Sequence, residues 1–192
     1  MKFLTFRLSQ IILFVFLFSC NQNNSKIDSD IYLEFQKKGT NISNLSQTTL
    51  LANVAKAIQK GGSEYALEFC NLKASSIIDS LNIVNDCVIS RVSIKNRNPE
   101  NGLKGEQEKH IWSLFQNNQL SDTLIQHNQK LVYYKTIKTG MPACLKCHGT
   151  PELEISPSTF EKLQKLYPND LAIGYKLNDF RGLWKIEFRK EL

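Results

Sequence analysis

The sequence lacks the features of several common functional classes. Its lysines and arginines are scattered along 192 residues, and no basic stripe is interleaved with aromatic side chains, so nucleic-acid binding is not predicted. It contains no internal repeat and no long low-complexity tract, and charged residues make up 22% of the chain, which argues against disorder. A hydrophobic content of 42% instead predicts one globular domain with a real core.

Histidine is scarce, and cysteine is present in an odd number. The chain has three histidines and five cysteines, and an odd count argues against a simple disulfide framework. The positions of the cysteines suggest separate roles. Cys20 ends an apolar run, Cys144 and Cys147 share one motif, and Cys70 and Cys87 each stand alone.

The first 19 residues have the pattern of an export signal. Lys2 and Arg7 precede an apolar run of eight residues, which is too short to span a bilayer but suits a signal peptide. The run ends in Leu-Phe-Ser-Cys20, which resembles a bacterial lipobox and predicts lipidation of Cys20 after removal of residues 1–19. An uncleaved anchor or an ordinary signal peptide is the alternative.

The segment after Cys20 is polar and contains few large apolar residues. We predict that residues 20–43 form a lipidated, flexible tether between a membrane and a domain at residues 44–192. Asn21 follows the cysteine where an acidic residue would favour the inner membrane, so we expect anchoring in the outer membrane, facing the periplasm. Several acyl chains would make this anchoring stable.

The spacing of apolar residues in the domain predicts an α+β fold on an antiparallel sheet. Gly61-Gly62 separates two predicted helices, and Cys70 lies on the apolar stripe of the second. The polar segment around His127 is predicted to be a loop. The predicted helices cover 44–60, 63–81, 106–116 and 158–166, and the predicted strands cover 86–94, 131–139 and 182–189.

Residues 144–148 form a C-x-x-C-H motif, which carries the chemistry of the sequence. Two thiols at this spacing can each add to one vinyl group of a haem, and His148 is then held beneath the iron as an axial ligand. Export supports this interpretation, because c-type haem is attached outside the cytoplasm. We therefore predict one covalent haem c on Cys144 and Cys147.

Two other chemistries also use closely spaced cysteines. A structural zinc site would need a further ligand pair at similar spacing, and none is apparent. A thioredoxin-like dithiol would need a βαβ setting, which the pattern lacks. A non-haem lipoprotein of either kind is the alternative.

The residue types leave the second axial ligand open. His110, His127, Met141 and Cys70 are the candidates. Both histidines lie in polar surroundings that favour exposure, and Met141 is only three residues from Cys144. A cysteine on an apolar helix face is usually a small buried hydrophobe.

Several segments, among them the haem motif, match a known family in order and spacing. They are Ala66–Cys70, Arg91–Asn101, the haem motif ending in Gly149, Tyr167–Asp170, Gly174–Tyr175 and Asp179–Gly182. From about residue 45 onward the chain resembles a family of single-haem c-type cytochromes with a PAS-like fold, which occur as exported proteins and as sensor domains of kinases and chemoreceptors. The resemblance implies that His148 and the Cys70 thiolate are the two axial ligands.

Arg97 and Arg181 are candidate partners for the haem propionates, because a guanidinium pairs with carboxylates in a two-pronged geometry. Alternatively, they hold loops through backbone carbonyls or through Asp170 and Asp179.

These features predict an exported, lipid-anchored haem protein that transfers electrons or senses redox state or a gas through an unknown redox or signalling partner. The catalytic alternative, a peroxidase-like enzyme, would need an acid-base residue beside an open iron position.

Overall fold

The computed structural model describes residues 27–191, which form an α+β fold with four α-helices and a four-stranded antiparallel sheet. The predicted signal peptide and Cys20 lie outside the described residues. The sheet order is β1-β4-β3-β2. The helices are α1 (Ser29–Asn85), α2 (Gly105–Gln116), α3 (Pro142–His148) and α4 (Pro157–Leu166), and the strands are β1 (Cys87–Val92), β2 (Asp122–His127), β3 (Lys130–Lys138) and β4 (Phe180–Glu191).

Helix α1 is two helices joined at Gly61-Gly62, as the sequence predicts. Gly62 has φ 73° and ψ −167°, a conformation open essentially only to glycine. Leu50 and Ala74 belong to the same core, although a straight helix would hold them about 36 Å apart. The chain therefore doubles back at the glycines, and the two halves of α1 form a hairpin.

The hairpin covers one face of the sheet and α2 covers the other. The first core joins α1 to alternate residues of the strands, including Ile89, Tyr133 and Ile186. The second core joins Trp112 and Phe115 of α2 to the opposite face. The period-two alternation of the strands thus separates two apolar layers.

Two predicted elements were wrong. Residues 29–43 are the start of α1 and not part of a flexible tether. Phe35, Gly39 and Ile42 are buried there, at a spacing that places them on one helix face. The segment around His127 is strand β2 and not a loop. β2 lies at the edge of the sheet, and Leu124 is its only buried residue. Its sequence therefore shows little alternation of apolar and polar residues.

No helix within residues 27–191 is long and apolar enough to cross a membrane.

Candidate functional site

The C-x-x-C-H motif lies on α3, a helix of seven residues. Pro142 occupies its first turn, where the missing N–H costs nothing. The spacing places Cys144, Cys147 and His148 within one turn of each other. The backbone N–H of Gly149 then closes the helix by donating to the carbonyl of Leu145 at 2.8 Å.

His148 is held in one tautomer by the loop before β4. Its Nδ1 lies 2.7 Å from the carbonyl oxygen of Ala172. Because a carbonyl only accepts, Nδ1 carries the proton and Nε2 keeps a free lone pair. Burial, followed by the charges of Arg97 and Arg181, lowers the pKa of His148 well below its usual value. The imidazole is therefore neutral and suited to binding a metal ion through Nε2.

Arg97 joins α3 to the same loop. Its Nε donates to Asp170 at 3.0 Å, and its Nη2 donates to the carbonyl of Cys147 at 2.6 Å. The Nη2 also donates to the carbonyl of Ala172 at 3.3 Å and completes an ion pair with Asp170 at 2.9 Å. Arg97 thus holds the loop as its alternative role predicted, whereas its contact with a propionate stays a prediction.

Some hydrogen-bond donors of the Arg181 guanidinium have partners in the described chain, and one does not. Its Nη1 donates to the carbonyl of Lys95 at 3.0 Å and to the Ser93 hydroxyl at 3.2 Å. Its Nε is buried and has no hydrogen-bond partner among residues 27–191. The guanidinium lies 5.2 Å from the ring centre of Tyr175, whose edge-to-face contact with the His148 ring measures 6.3 Å between centroids.

Cys70 lies on the second half of α1, which α4 holds against the site. Glu64 accepts hydrogen bonds from Ser158 at 2.5 Å and Thr159 at 3.1 Å, while Lys162 pairs with Glu68. Leu67 packs with Leu163, and Cys147 packs against their cluster. This arrangement brings Cys70 and Cys147 close enough to interact electrostatically.

The two thiols have similar surroundings. Burial raises the pKa of Cys70, and the positive charges of Arg91 and Arg97 oppose that rise. Burial raises the pKa of Cys147 to about 11, again against the charge of Arg97. Cys70 and His148 thus come from separate elements and share the same arginines.

Arg91 is a site residue to which the sequence analysis gave no role. It interacts electrostatically with Cys70 and Tyr167. It follows Cys87 and Ile89 on the same face of β1, the face covered by α1. A charged residue that continues an apolar alternation is the signal that could have identified it.

Two basic groups of the site are accessible to solvent. The Arg91 side chain is exposed and His148 is partly accessible. Desolvation by the surrounding protein nevertheless lowers the pKa of both groups.

The chain matches a known protein family over most of its length. The sequence profile of the Tll0287-like family matches residues 24–189. The chain belongs to the Tll0287-like family. Among solved structures, "Crystal structure of the cyanobacterial heme-protein Tll0287" is similar to it in fold, with a TM-score of 0.52 and 21% sequence identity, covering 62% of this chain and 71% of that chain. No curated protein matches the chain.

The other candidate ligands lie elsewhere in this Tll0287-like chain. His110 is exposed on α2, and His127 is exposed at the end of β2, where its Nε2 lies 3.3 Å from the Asn128 amide. Neither is among the groups that shift the pKa of His148. Met141 is 43% exposed before α3, and Cys87 is fully buried in the first core. Cys70 is thus the candidate from another element that interacts with Cys147 of the motif.

The described part of the chain offers no further ligands for a zinc site at the motif. No three side chains of His, Cys, Asp or Glu converge there into a group that could hold a metal ion.

Proposed function

We propose that this protein is an exported, lipid-anchored c-type haem protein with one haem, which transfers electrons or senses redox state or a small gas through a partner protein. Cys144 and Cys147 form the thioether bonds to the haem, and His148 and Cys70 are the axial ligands. In this proposal the α+β fold is a PAS-like domain. The haem c supplies a one-electron couple at its iron.

One observation carries this proposal: the His148 tautomer is fixed beside the two motif cysteines, with Cys70 close by. The Nδ1–H bond to Ala172 leaves Nε2 as a base, which is how iron-binding histidines are oriented and tuned. The Cys70 sulfur comes from a different element and interacts with Cys147. A thiolate favours ferric iron by donating electron density.

The charges at the site also fit a haem. Arg91, Arg97 and Arg181 interact with His148, and Asp170 is the carboxylate that pairs with one of them. The buried Nε of Arg181 has no acceptor in the described chain, and an unpaired buried donor costs free energy. Two propionates would supply negative charge and acceptors. The printed title of the similar structure, a heme-protein, supports the same cofactor.

The location and partner are proposed from the sequence. The signal pattern and Cys20 support export and lipid anchoring. Export is also what c-type haem attachment requires, since that attachment takes place outside the cytoplasm. Anchoring near the outer membrane would keep the haem close to membrane redox partners. In a sensing role the haem domain would act through a separate signalling protein.

A peroxidase-like role has less support. His110 and His127 are exposed on α2 and β2, and neither is among the groups that interact with His148, so nothing favours either as an acid or base beside the iron. Two protein ligands would also fill the axial positions.

The proposal is tested by a pyridine haemochrome assay on protein exported in a host with c-type maturation machinery. Haem that stays on the denatured polypeptide, at one per chain, is the expected result. Cys87→Ala is the matched control, because it removes a thiol that is buried away from the site and should leave haem attached. Polypeptide that carries no haem after correct export would overturn the proposal.

A further inference from the structure

The carbonyl oxygen of Ala172 accepts hydrogen bonds from two side chains. The Nδ1–H of His148 donates to it at 2.7 Å, and Nη2 of Arg97 donates to it at 3.3 Å. A carbonyl oxygen has two lone pairs, so these two donors use both of them. The acceptor of the His148 proton is therefore shared with a cation.

A buried ion pair aims the guanidinium at this carbonyl. The side chains of Arg97 and Asp170 are only 13% and 8% exposed, and they pair at 2.9 Å. The other carboxylate oxygen of Asp170 accepts the backbone N–H of Ala172 at 2.8 Å, and Ala172 is fully buried. The ion pair thus holds Ala172 by both its N–H and its carbonyl, where little water can compete.

The loop that carries this carbonyl is also held by bonds that do not involve Arg97. The backbone N–H of Tyr175 donates to the carbonyl of His148 at 2.9 Å. The ammonium of Lys95 donates to the carbonyl of Ile173 at 2.6 Å. Because these bonds remain, the loop should keep its position when the guanidinium is removed, and the shared carbonyl should lose only its second donor.

Sharing the carbonyl has a consequence for His148. A charged donor bonds strongly and draws electron density from its acceptor, so the Ala172 oxygen is a weaker acceptor for the Nδ1–H than it would be alone. A weaker Nδ1–H bond makes the imidazole a weaker electron donor through Nε2. Weaker donation from an axial ligand favours ferrous over ferric iron.

We propose that Arg97 is a positioning residue that raises the midpoint potential of the haem by sharing the Ala172 carbonyl with His148. This inference rests on the proposed function, in which His148 is an axial ligand, and it adds the residue that sets the potential of that site. Arg97 acts through the His148 hydrogen bond.

The test must separate the hydrogen bond from the charge of Arg97, because a nearby positive charge also raises the potential. Arg97→Gln removes the charge and the donor to Ala172. The double variant Arg97→Gln with Asp170→Asn removes the same donor together with one positive and one negative charge, so the net charge of the pair is unchanged.

Both variants should keep covalent haem and have a lower midpoint potential than the wild-type holoprotein. We expect the ferrous-to-ferric ratio at a fixed applied potential to fall roughly two- to tenfold, the equivalent of one hydrogen bond. The Nδ1–H proton resonance of His148 in the reduced holoprotein should move downfield in both, because its hydrogen bond becomes stronger. Lys146→Gln, which removes an exposed positive charge from α3, is the control and should leave that resonance in place.

The outcomes separate this inference from the proposed function. Wild-type protein without covalent haem would refute the proposed function. With haem attached, a wild-type potential in the double variant would show that Arg97 acts through its charge alone and would overturn the inference. An unmoved Nδ1–H resonance, or a higher potential in the double variant, would also overturn it. If Arg97→Gln does not fold, the double variant decides, because it leaves no buried charge unpaired.

Discussion

Two cysteines of this fold lie on neighbouring elements but in opposite surroundings. Cys87 begins β1 and is fully buried in the apolar core with Phe35 and Phe188. Burial raises its pKa to about 11. Cys70 lies on the second half of α1, where Arg91 and Arg97 oppose the effect of burial.

The difference shows that the same two elements, α1 and β1, contribute residues both to the apolar core and to the candidate site. Ala74 and Ile78 follow Cys70 along the apolar stripe of α1 and belong to the core. Along β1 the order is reversed, because Ile89 lies in the core and the later residue Arg91 interacts with Cys70. Each element therefore has an apolar end in the core and another end at the basic site. The position of a thiol along the element decides whether it packs in the core or is available for chemistry.

The largest effect should come from removing the motif thiols. The double variant Cys144→Ala and Cys147→Ala should lose covalent haem completely, because no thioether can form. A pyridine haemochrome assay on the denatured, exported protein measures this. Covalent haem persisting in the double variant would show that another residue, Cys70 or Cys87, attaches it.

The comparison itself is tested by Cys70→Ala beside Cys87→Ala. Cys70→Ala should keep covalent haem, move the Soret band, and raise the midpoint potential by at least about 59 mV, which is tenfold for one electron. The reason is that loss of thiolate ligation disfavours ferric iron. Spectroelectrochemical titration measures the shift.

Cys87→Ala should instead leave the spectrum and potential unchanged. It removes a fully buried sulfur, so we expect about 1 kcal/mol of lost stability. Equal potentials in the two variants would contradict the distinction between the two cysteines.

The ion pair of Arg97 should contribute more to stability than an exposed ion pair does. Arg97→Gln should lower the free energy of unfolding by about 3 kcal/mol, because it leaves Asp170 buried without its partner. Arg189→Gln breaks a more exposed ion pair with Asp86 and should cost less than about 1 kcal/mol. Urea unfolding followed by circular dichroism measures both. Equal losses would mean that Arg97 does not hold the loop at Asp170 against α3.

The smallest expected effect is a pH dependence of the stability of the protein made without haem. Because the pKa of His148 is lower in the folded than in the unfolded state, the unfolded state binds more protons. The contribution of His148 to the free energy of unfolding is complete above about pH 6.5, the pKa of histidine in an unfolded chain. This contribution falls as the pH decreases toward the folded pKa. The slope is at most about 1.4 kcal/mol per pH unit for one proton.

Urea midpoints between pH 7 and 5 measure this slope. His148→Gln should remove it, whereas His127→Gln changes an exposed histidine on β2 and should leave it in place. A slope that survives His148→Gln would assign the acid sensitivity to another group.

Local patterns predicted much of the fold. The glycine pair predicted the turn within α1, and apolar periodicity predicted α2, α4 and the strands β1, β3 and β4. The start of α1 was missed because its surface is polar, although Phe35, Gly39 and Ile42 mark one buried face. A Cβ at position 39 would overlap the Tyr133 ring, so this glycine serves close packing and does not indicate a flexible segment.

The site was only partly predictable. The spacing of Cys144, Cys147 and His148 is local and therefore visible in the sequence. The partners of His148 and Arg97, which are Ala172 and Asp170, lie more than 20 residues away along the chain, so only the fold brings them together. Arg91 was missed for the same reason, since its neighbour Cys70 is on another element.

The most direct test of the central claim is the absorption spectrum of the oxidised and reduced holoprotein, compared with that of Cys70→Ala. We predict a low-spin, thiolate-ligated spectrum for the oxidised wild type, which is lost in the variant while the haem remains covalently bound. An oxidised spectrum that is identical in the two proteins would contradict the pairing of Cys70 with His148.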